Sequence, residues 1–296
     1  PIVAAAGGMV APALIHLSIN AGTSTQAGFG IPMATDIAFA LGVLAILGNR
    51  VPASLKVFVV AFAVIDDLGA IVVIAAFYTT QLSVWYLVGA LGIWILLFVL
   101  NRLFRVMSLI PYVLGGTLMW FLMLESGIHA TIAGVLLAFA IPFSHNDNDL
   151  KSPSHQLEGF LHKPVAFVIL PIFALANTGV VVGTDWMSSV ASTNSIGIIV
   201  GLLLGKPLGV TFMCFLAVAS GLSRLPSDLN WRHISGGGIL GGIGFTMSIF
   251  IANLAFAGNA EAINAAKMAI LIASVTAGAG GFLWLKVLSR PEMTGP

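Results

Sequence analysis

VFVVAFAVIDDLGAIVVIAAFY, residues 57 to 78, is an apolar run interrupted by two charges, Asp66 and Asp67. A helix rising ~1.5 Å per residue makes the run long enough to cross the hydrocarbon core of a bilayer, with both aspartates near its middle. Ionisable groups at that depth are costly and usually mark a path for an ion or a proton. Neighbouring residues on a helix point about 100° apart, so Asp66 and Asp67 cannot act as one clamp and are expected to serve different partners.

Composition agrees with the run. Of 296 residues, 58% are hydrophobic and 8% charged, where a soluble domain carries about 25% charge. Polar clusters divide the chain into ten apolar segments at approximately 1–19, 31–47, 57–78, 84–100, 110–124, 128–143, 165–182, 196–219, 234–256 and 262–288. Several are shorter than the ~20 residues of a perpendicular span, which predicts short or broken helices. The fold class read from this is an all-α membrane protein with ten transmembrane helices.

Basic residues collect in alternate connections. Arg50 and Lys56, Arg102 and Arg105, Lys151 and Lys163, Arg224 and Arg232, and Lys286 with Arg290 follow the even-numbered segments, while the other connections have no Lys or Arg. By the positive-inside rule both ends of the chain are cytoplasmic, and only Lys206 and Lys267 fall within spans. A net charge of +1, spread over loops, gives no support to a nucleic-acid role. Cys214 has no partner for an intrachain disulfide and reads as a packing residue. The chain opens at Pro1 directly in an apolar run, which suggests a longer protein with further spans upstream.

The polar stretch SHNDNDLKSPSHQLEGFLHK, 144–163, is the natural midpoint. It separates a first triplet of segments (1–80), with middle helices at 84–143, from a helix at 165–182 and a second triplet (194–288). The middle member of each triplet is entered through glycines, GFGIPMATDIAF at 28–39 and SGGGILGGIGFTMSIF at 235–250. The basic-loop count gives the triplets opposite senses, as in an inverted repeat built around discontinuous helices. Irregular backbone at membrane depth is tolerated where it is buried in protein or lines a wet cavity. Close helix packing also uses glycine, but it does not explain why Thr35 and Asp36 follow the break.

The chemistry of these residues points to a small cation. Sodium favours oxygen ligands, and water-poor surroundings favour the neutral form of a carboxylate, so one oxygen can hold a proton or a metal ion in turn. Asp36, Asp67, the Thr35 hydroxyl and carbonyls near the break are the candidate ligands for a transported ion. Lys206, in GLLLGKPLGV at 201–210, is the well-placed intramembrane partner for one of the acids, and Pro207 after it removes a helix hydrogen bond. A purely structural ion pair is the alternative for that pair taken alone. The loop histidines His145, His155, His162 and His233 read as ordinary solvated groups. Trp85, Trp94, Trp120, Trp186, Trp231 and Trp284 mostly suit an interfacial belt.

Taken together, IPMATDIAFALGVLAILG, FAVIDDLGAIVV, GKPLG and SGGGILGGIGFTMSIFIANLAF, in this order and at these separations, closely resemble the NhaA family of bacterial sodium/proton antiporters. The likeness covers essentially the whole chain. It implies a multi-pass inner-membrane transporter that exports sodium or lithium in exchange for protons by alternating access, electrogenic and regulated by pH. Neither enzyme activity nor a cofactor is implied. By resemblance the discontinuous helices cross, with Asp36 and Thr35 at the crossing. Asp67 matches the principal ion-binding aspartate, and Asp66 its neighbour that pairs with the lysine at Lys206. The second proton carrier is either Lys206 or Asp66. Glu158 and His162 match a cytoplasmic pH-sensing region, and His129 a histidine that affects the pH response. The ten segments correspond to the family's third to twelfth spans. The absent part includes its dimer-forming hairpin, so a homodimer is implied for the full-length protein only.

Other classes fit less well. An intramembrane aspartyl protease would need Asp36 beside Asp67, and neither a GxGD nor an HExxH stretch is present. A symporter of organic anions would need a larger polar pocket, and a retinal pigment on Lys206 does not match ten spans.

Overall fold

The computed structural model describes residues 1–79, 82–143, 152–182 and 186–288. His145, Lys151 and Arg290 therefore lie outside the described residues, as does the first half of the polar midpoint stretch. All regular structure among the described residues is helical.

Two compact units divide the chain, Pro1–Ala70 with Asn177–Pro296 and Ile71–Ala176. The first contains α1 (Ile2–Asn20), a 3₁₀ stretch (Gln26–Met33), α2 (Ile37–Leu47) and most of α3 (Ala53–Phe77). Later in the chain it adds α9 (Trp186–Val190), α10 (Thr193–Val200), α11 (Lys206–Ala219), α12 (Trp231–Gly241), α13 (Phe245–Ala255) and α14 (Ala260–Leu288). The second has the end of α3, α4 (Val84–Arg102), α5 (Ile110–Glu125), α6 (Thr131–Ala140), α7 (Pro153–Pro164) and α8 (Leu170–Asn177, to its penultimate residue).

Seven helical stretches among the described residues are long and apolar enough to cross a membrane, and an eighth is the pair α12 and α13, bent by 46°. α5 and α6 are shorter apolar helices, which leaves seven or eight span-length stretches among the described residues against the ten apolar segments of the sequence. Large apolar side chains such as Ile46 and Leu175 are exposed along these helices, as a lipid-facing surface requires. The polar stretch that reads as a connection up to Lys163 is already helical from Pro153. Pro153 begins the helix, where its missing N–H is not needed, and LEGFLHK continues it.

In the first unit Leu44, Leu55, Phe62, Val210, Leu240 and Ala277 belong to one buried apolar cluster. Helices α1 and α11 approach so closely that a side chain on Gly7 would strike the Gly209 backbone, and the reverse. Small residues are what let two helices meet at that distance without a clash. A wide π turn, Gly201–Gly205, precedes Lys206. The Gly201 and Gly205 positions press on Pro32 and Pro12, with no room for a Cβ.

The second unit packs around Met119, Met123 and Ala133, and around Leu97, Tyr112 and Ala140. Two half-buried polar side chains close on backbone carbonyls: Trp94 Nε1 donates to Leu136 at 2.8 Å and Asn101 Nδ2 to Ala140 at 2.9 Å. Pairing a polar side chain inside its own unit avoids leaving it unsatisfied in lipid.

Candidate ion-exchange site

Two interrupted helical stretches meet in the first unit. Between the 3₁₀ stretch and α2 the backbone of Ala34 to Asp36 is extended, and between α12 and α13 residues 242–244 leave the helix. Such breaks free main-chain groups that must find partners elsewhere. Here they find one another. The Asp36 amide donates to the Ile243 carbonyl at 2.6 Å, and the Ser248 hydroxyl donates to the Ile31 carbonyl at 2.7 Å.

Asp36 caps both following helices. Its Oδ1 accepts from the Phe39 amide of α2 at 3.3 Å, while Oδ2 accepts from the Thr246 amide at 3.1 Å and the Thr246 hydroxyl at 2.5 Å. Carboxylates suit this position, because helix N-termini present unpaired N–H groups and a partial positive charge. The buried Thr35 hydroxyl lies 2.8 Å from Asp66 Oδ2 and 2.9 Å from the Gly241 carbonyl. Its single proton serves one of them at a time.

Lys206 is fully buried and donates to Asp66 Oδ2 and to the carbonyl of Met33, the last residue of the 3₁₀ stretch. Lys206 and Asp66 form a fully buried ion pair. One ammonium thus ties α11 to α3 and to the first break. The other Asp66 oxygen, Oδ1, is buried without a hydrogen-bond partner among the described residues.

Asp67 is in a different situation. Its Oδ1 is also buried with no hydrogen-bond partner among the described residues, and no lysine or arginine pairs with it. Of the candidate residues, Thr35, Asp66 and Lys206 are joined directly. Asp36 is joined to the second break, and Asp67 stands one residue along α3 from the paired acid.

Glu158, His162 and His129 belong to the second unit. Glu158 and His162 are exposed one turn apart on α7, and His129 is half-buried between α5 and α6. No group of three His, Cys, Asp or Glu residues among the described residues is arranged to hold a metal ion.

Sequence reading missed Thr246, Ser248 and the Met33 carbonyl. Thr246 had a signal, since GFTMSIF places a hydroxyl just after the second glycine break much as Thr35 and Asp36 follow the first. The carbonyl had none, because which main-chain group a lysine reaches depends on tertiary packing.

Known proteins share this sequence along its length. The family model described as Na+/H+ antiporter 1 matches residues 1–285. A protein of Dechloromonas aromatica (strain RCB), named Na(+)/H(+) antiporter NhaA, is 70% identical over 292 residues, 99% of this chain and 75% of its own length. One of the same name from Cytophaga hutchinsonii is 59% identical over 294 residues, again 99% of this chain and 75% of its own length. Another from Helicobacter pylori (strain G27) is 46% identical over 329 aligned residues, covering 98% and 75%. With its acids, lysine and interrupted helices arranged inside one unit and its sequence matched from end to end, this chain belongs to the Na+/H+ antiporter 1 family.

Proposed function

We propose that this protein is a sodium/proton antiporter of the bacterial inner membrane, exporting sodium or lithium in exchange for protons by alternating access. The observation that carries the reading is the contrast between adjacent acids. Asp66 has Lys206 and Thr35 as fixed partners, whereas Asp67 Oδ1 is buried with none among the described residues. A carboxylate in low-dielectric surroundings needs neutralising, and without a resident cation the neutraliser is a proton or a transported metal ion.

In this reading Asp67 binds the cation, with the Thr35 hydroxyl and Asp36 at the edge of the same site. Protons arrive from outside and leave to the cytoplasm, after which sodium takes the vacated oxygens. Exchange is electrogenic when two protons move per metal ion, the second carried by Lys206 or Asp66. The molecule is a single transmembrane domain of ten spans, with 1–80 and 194–288 as inverted repeats whose broken helices cross. Direct contact between the breaks, through Asp36 with Ile243 and Thr246, supports that arrangement. Both ends of the chain face the cytoplasm, Glu158, His162 and His129 tune the response to pH, and the full-length protein is a homodimer.

The test is reconstitution into acid-loaded vesicles containing a pH-sensitive dye. Adding sodium or lithium should raise internal pH, and potassium should not. Asp67→Asn should remove the response while the protein still purifies as a folded species. Normal sodium-driven alkalinisation by that variant would falsify the assignment of Asp67.

A further inference from the structure

A second polar cluster lies in the first unit, away from the carboxylates. His16 on α1 is completely buried, and its Nε2 is 3.1 Å from Asn194 Oδ1 on α10. Asn20, one turn further along α1, is also completely buried. Its Nδ2 donates to the His16 carbonyl at 3.1 Å and the Thr193 carbonyl at 3.3 Å, and lies 3.5 Å from His16 Nε2. Asn20 Oδ1 accepts from the Thr25 hydroxyl at 2.9 Å, which reaches the turn leading into the 3₁₀ stretch. The cluster therefore fastens three elements: α1, the start of α10, and the lead-in to the segment that ends at Met33.

Two atoms in it lack partners. His16 Nδ1 and Asn194 Nδ2 are buried with no hydrogen bond among the described residues. An amide oxygen can only accept, so facing Asn194 Oδ1 the ring must carry its proton on Nε2. Nδ1 is then a bare acceptor in a neutral ring. The ring fits tightly, since a Cβ on Gly197 would come 2.9 Å from His16 Cδ2 and one on Gly28 would come 3.2 Å from Cε1.

Among the described residues no counter-charge faces this ring. The 3₁₀ stretch, α10, the π turn Gly201–Gly205 and α13 contain no titratable or charged residue. On α11, Lys206 and Cys214 are the titratable groups. Lys206 and Asp66 of α3 meet α1 at Gly8, two helical turns from His16, and Asp67 follows on α3. Glu261 and Lys267 are on α14, which packs behind α10, and Lys267 donates to the Gly179 carbonyl at 3.3 Å. Adding a proton to Nδ1 would thus make a buried cation with neither an anion nor an acceptor, a costly state.

We propose that His16 is a second proton-binding site, distinct from the carboxylates, and that its occupancy unlatches α1 from α10 and from the turn at Thr25. Proton uptake turns the ring toward water, the bond to Asn194 is lost, and the seam over the 3₁₀ stretch opens. With the topology proposed above, on which this part rests, the cluster is at the outer end of the unit and the proton comes from outside. External acid then opens the outer side of the transporter as it supplies the driving ion.

A distance measurement tests the latch without transport. Spin labels at the exposed positions Ser18 and Ile196, in a Cys214→Ser background in lipid, report the α1 to α10 separation. Acidification across the histidine range, from about pH 8 to about pH 5, should add a longer distance. His16→Gln, which can still donate to Asn194 but cannot titrate there, should keep the short distance throughout. Asn194→Asp, which gives the protonated ring a carboxylate neighbour, should also hold the seam closed in acid. An unchanged distance in the His16 protein, or an acid response that persists in His16→Gln, overturns the proposal. In vesicles at fixed internal pH, His16→Gln should flatten the dependence of exchange on external pH while leaving the KM for sodium within about twofold. A latch that opens in acid in a protein incapable of exchange would sustain the His16 site and remove the antiport reading.

Discussion

The amide of Asp36 donates to the carbonyl of Ile243 across 2.6 Å, joining two helix breaks more than two hundred residues apart in sequence. Since the Asp36 carboxylate also accepts from Phe39 and twice from Thr246, it acts as a staple whatever it does for ions. Asp36→Ala should therefore lower stability by about 3 kcal/mol, from the loss of a cap on each of two helices and an orphaned Thr246 hydroxyl. Thr246→Val, which removes only the hydroxyl, should cost about 1 kcal/mol. Thermal unfolding in detergent gives both values, and equal effects would refute the staple.

Breaking the Lys206–Asp66 pair from one side leaves a buried charge alone. Lys206→Met and Asp66→Leu should each destabilise by about 3–5 kcal/mol, and the double variant by clearly less than their sum. A double-mutant cycle measured by denaturant unfolding checks this. Additive losses would mean that the two groups do not interact energetically.

Asp67 carries no such structural load. Asp67→Asn should change unfolding stability by no more than about 1 kcal/mol, because no fixed partner is lost. Asp66→Asn should cost several times more. The two acids, one residue apart, thereby separate a functional loss from a structural one.

The α1 to α11 contact makes an independent prediction. Gly209→Val forces a side chain into the Gly7 backbone and should cost at least about 3 kcal/mol. Gly42→Ala, at a helical site with nothing within 4 Å, should be neutral or stabilising by up to about 1 kcal/mol. Expression and thermal stability of the two variants report the difference.

Apolar runs and charge placement made much of the helical framework legible, because lipid demands long apolar helices and penalises stray charge. Glycines at 28–30 and 236–244 marked the interrupted segments, and Lys206 stood out as an ammonium inside an apolar run. Local signals could not give the hydrogen-bond pattern. Which of Asp66 and Asp67 meets Lys206 depends on the rotation of α3, and the role of Met33 depends on a carbonyl that every residue has. His16 escaped notice for a related reason. A single histidine near a helix end looks ordinary until Asn20 and Asn194, far apart in the chain, close around it.

The contacts of Asp36 with Thr246, and of Ile31 with Ser248, span 210 and 217 positions of the chain. During synthesis the early half of this junction must wait for its partners until more than two hundred further residues have been added. Meanwhile its main-chain groups have only water or provisional neighbours to satisfy them. Biogenesis of this protein therefore requires the first break to be held near a wet surface or inside the insertion machinery. Truncations ending before Gly244 should be destroyed by membrane quality control instead of persisting as stable halves.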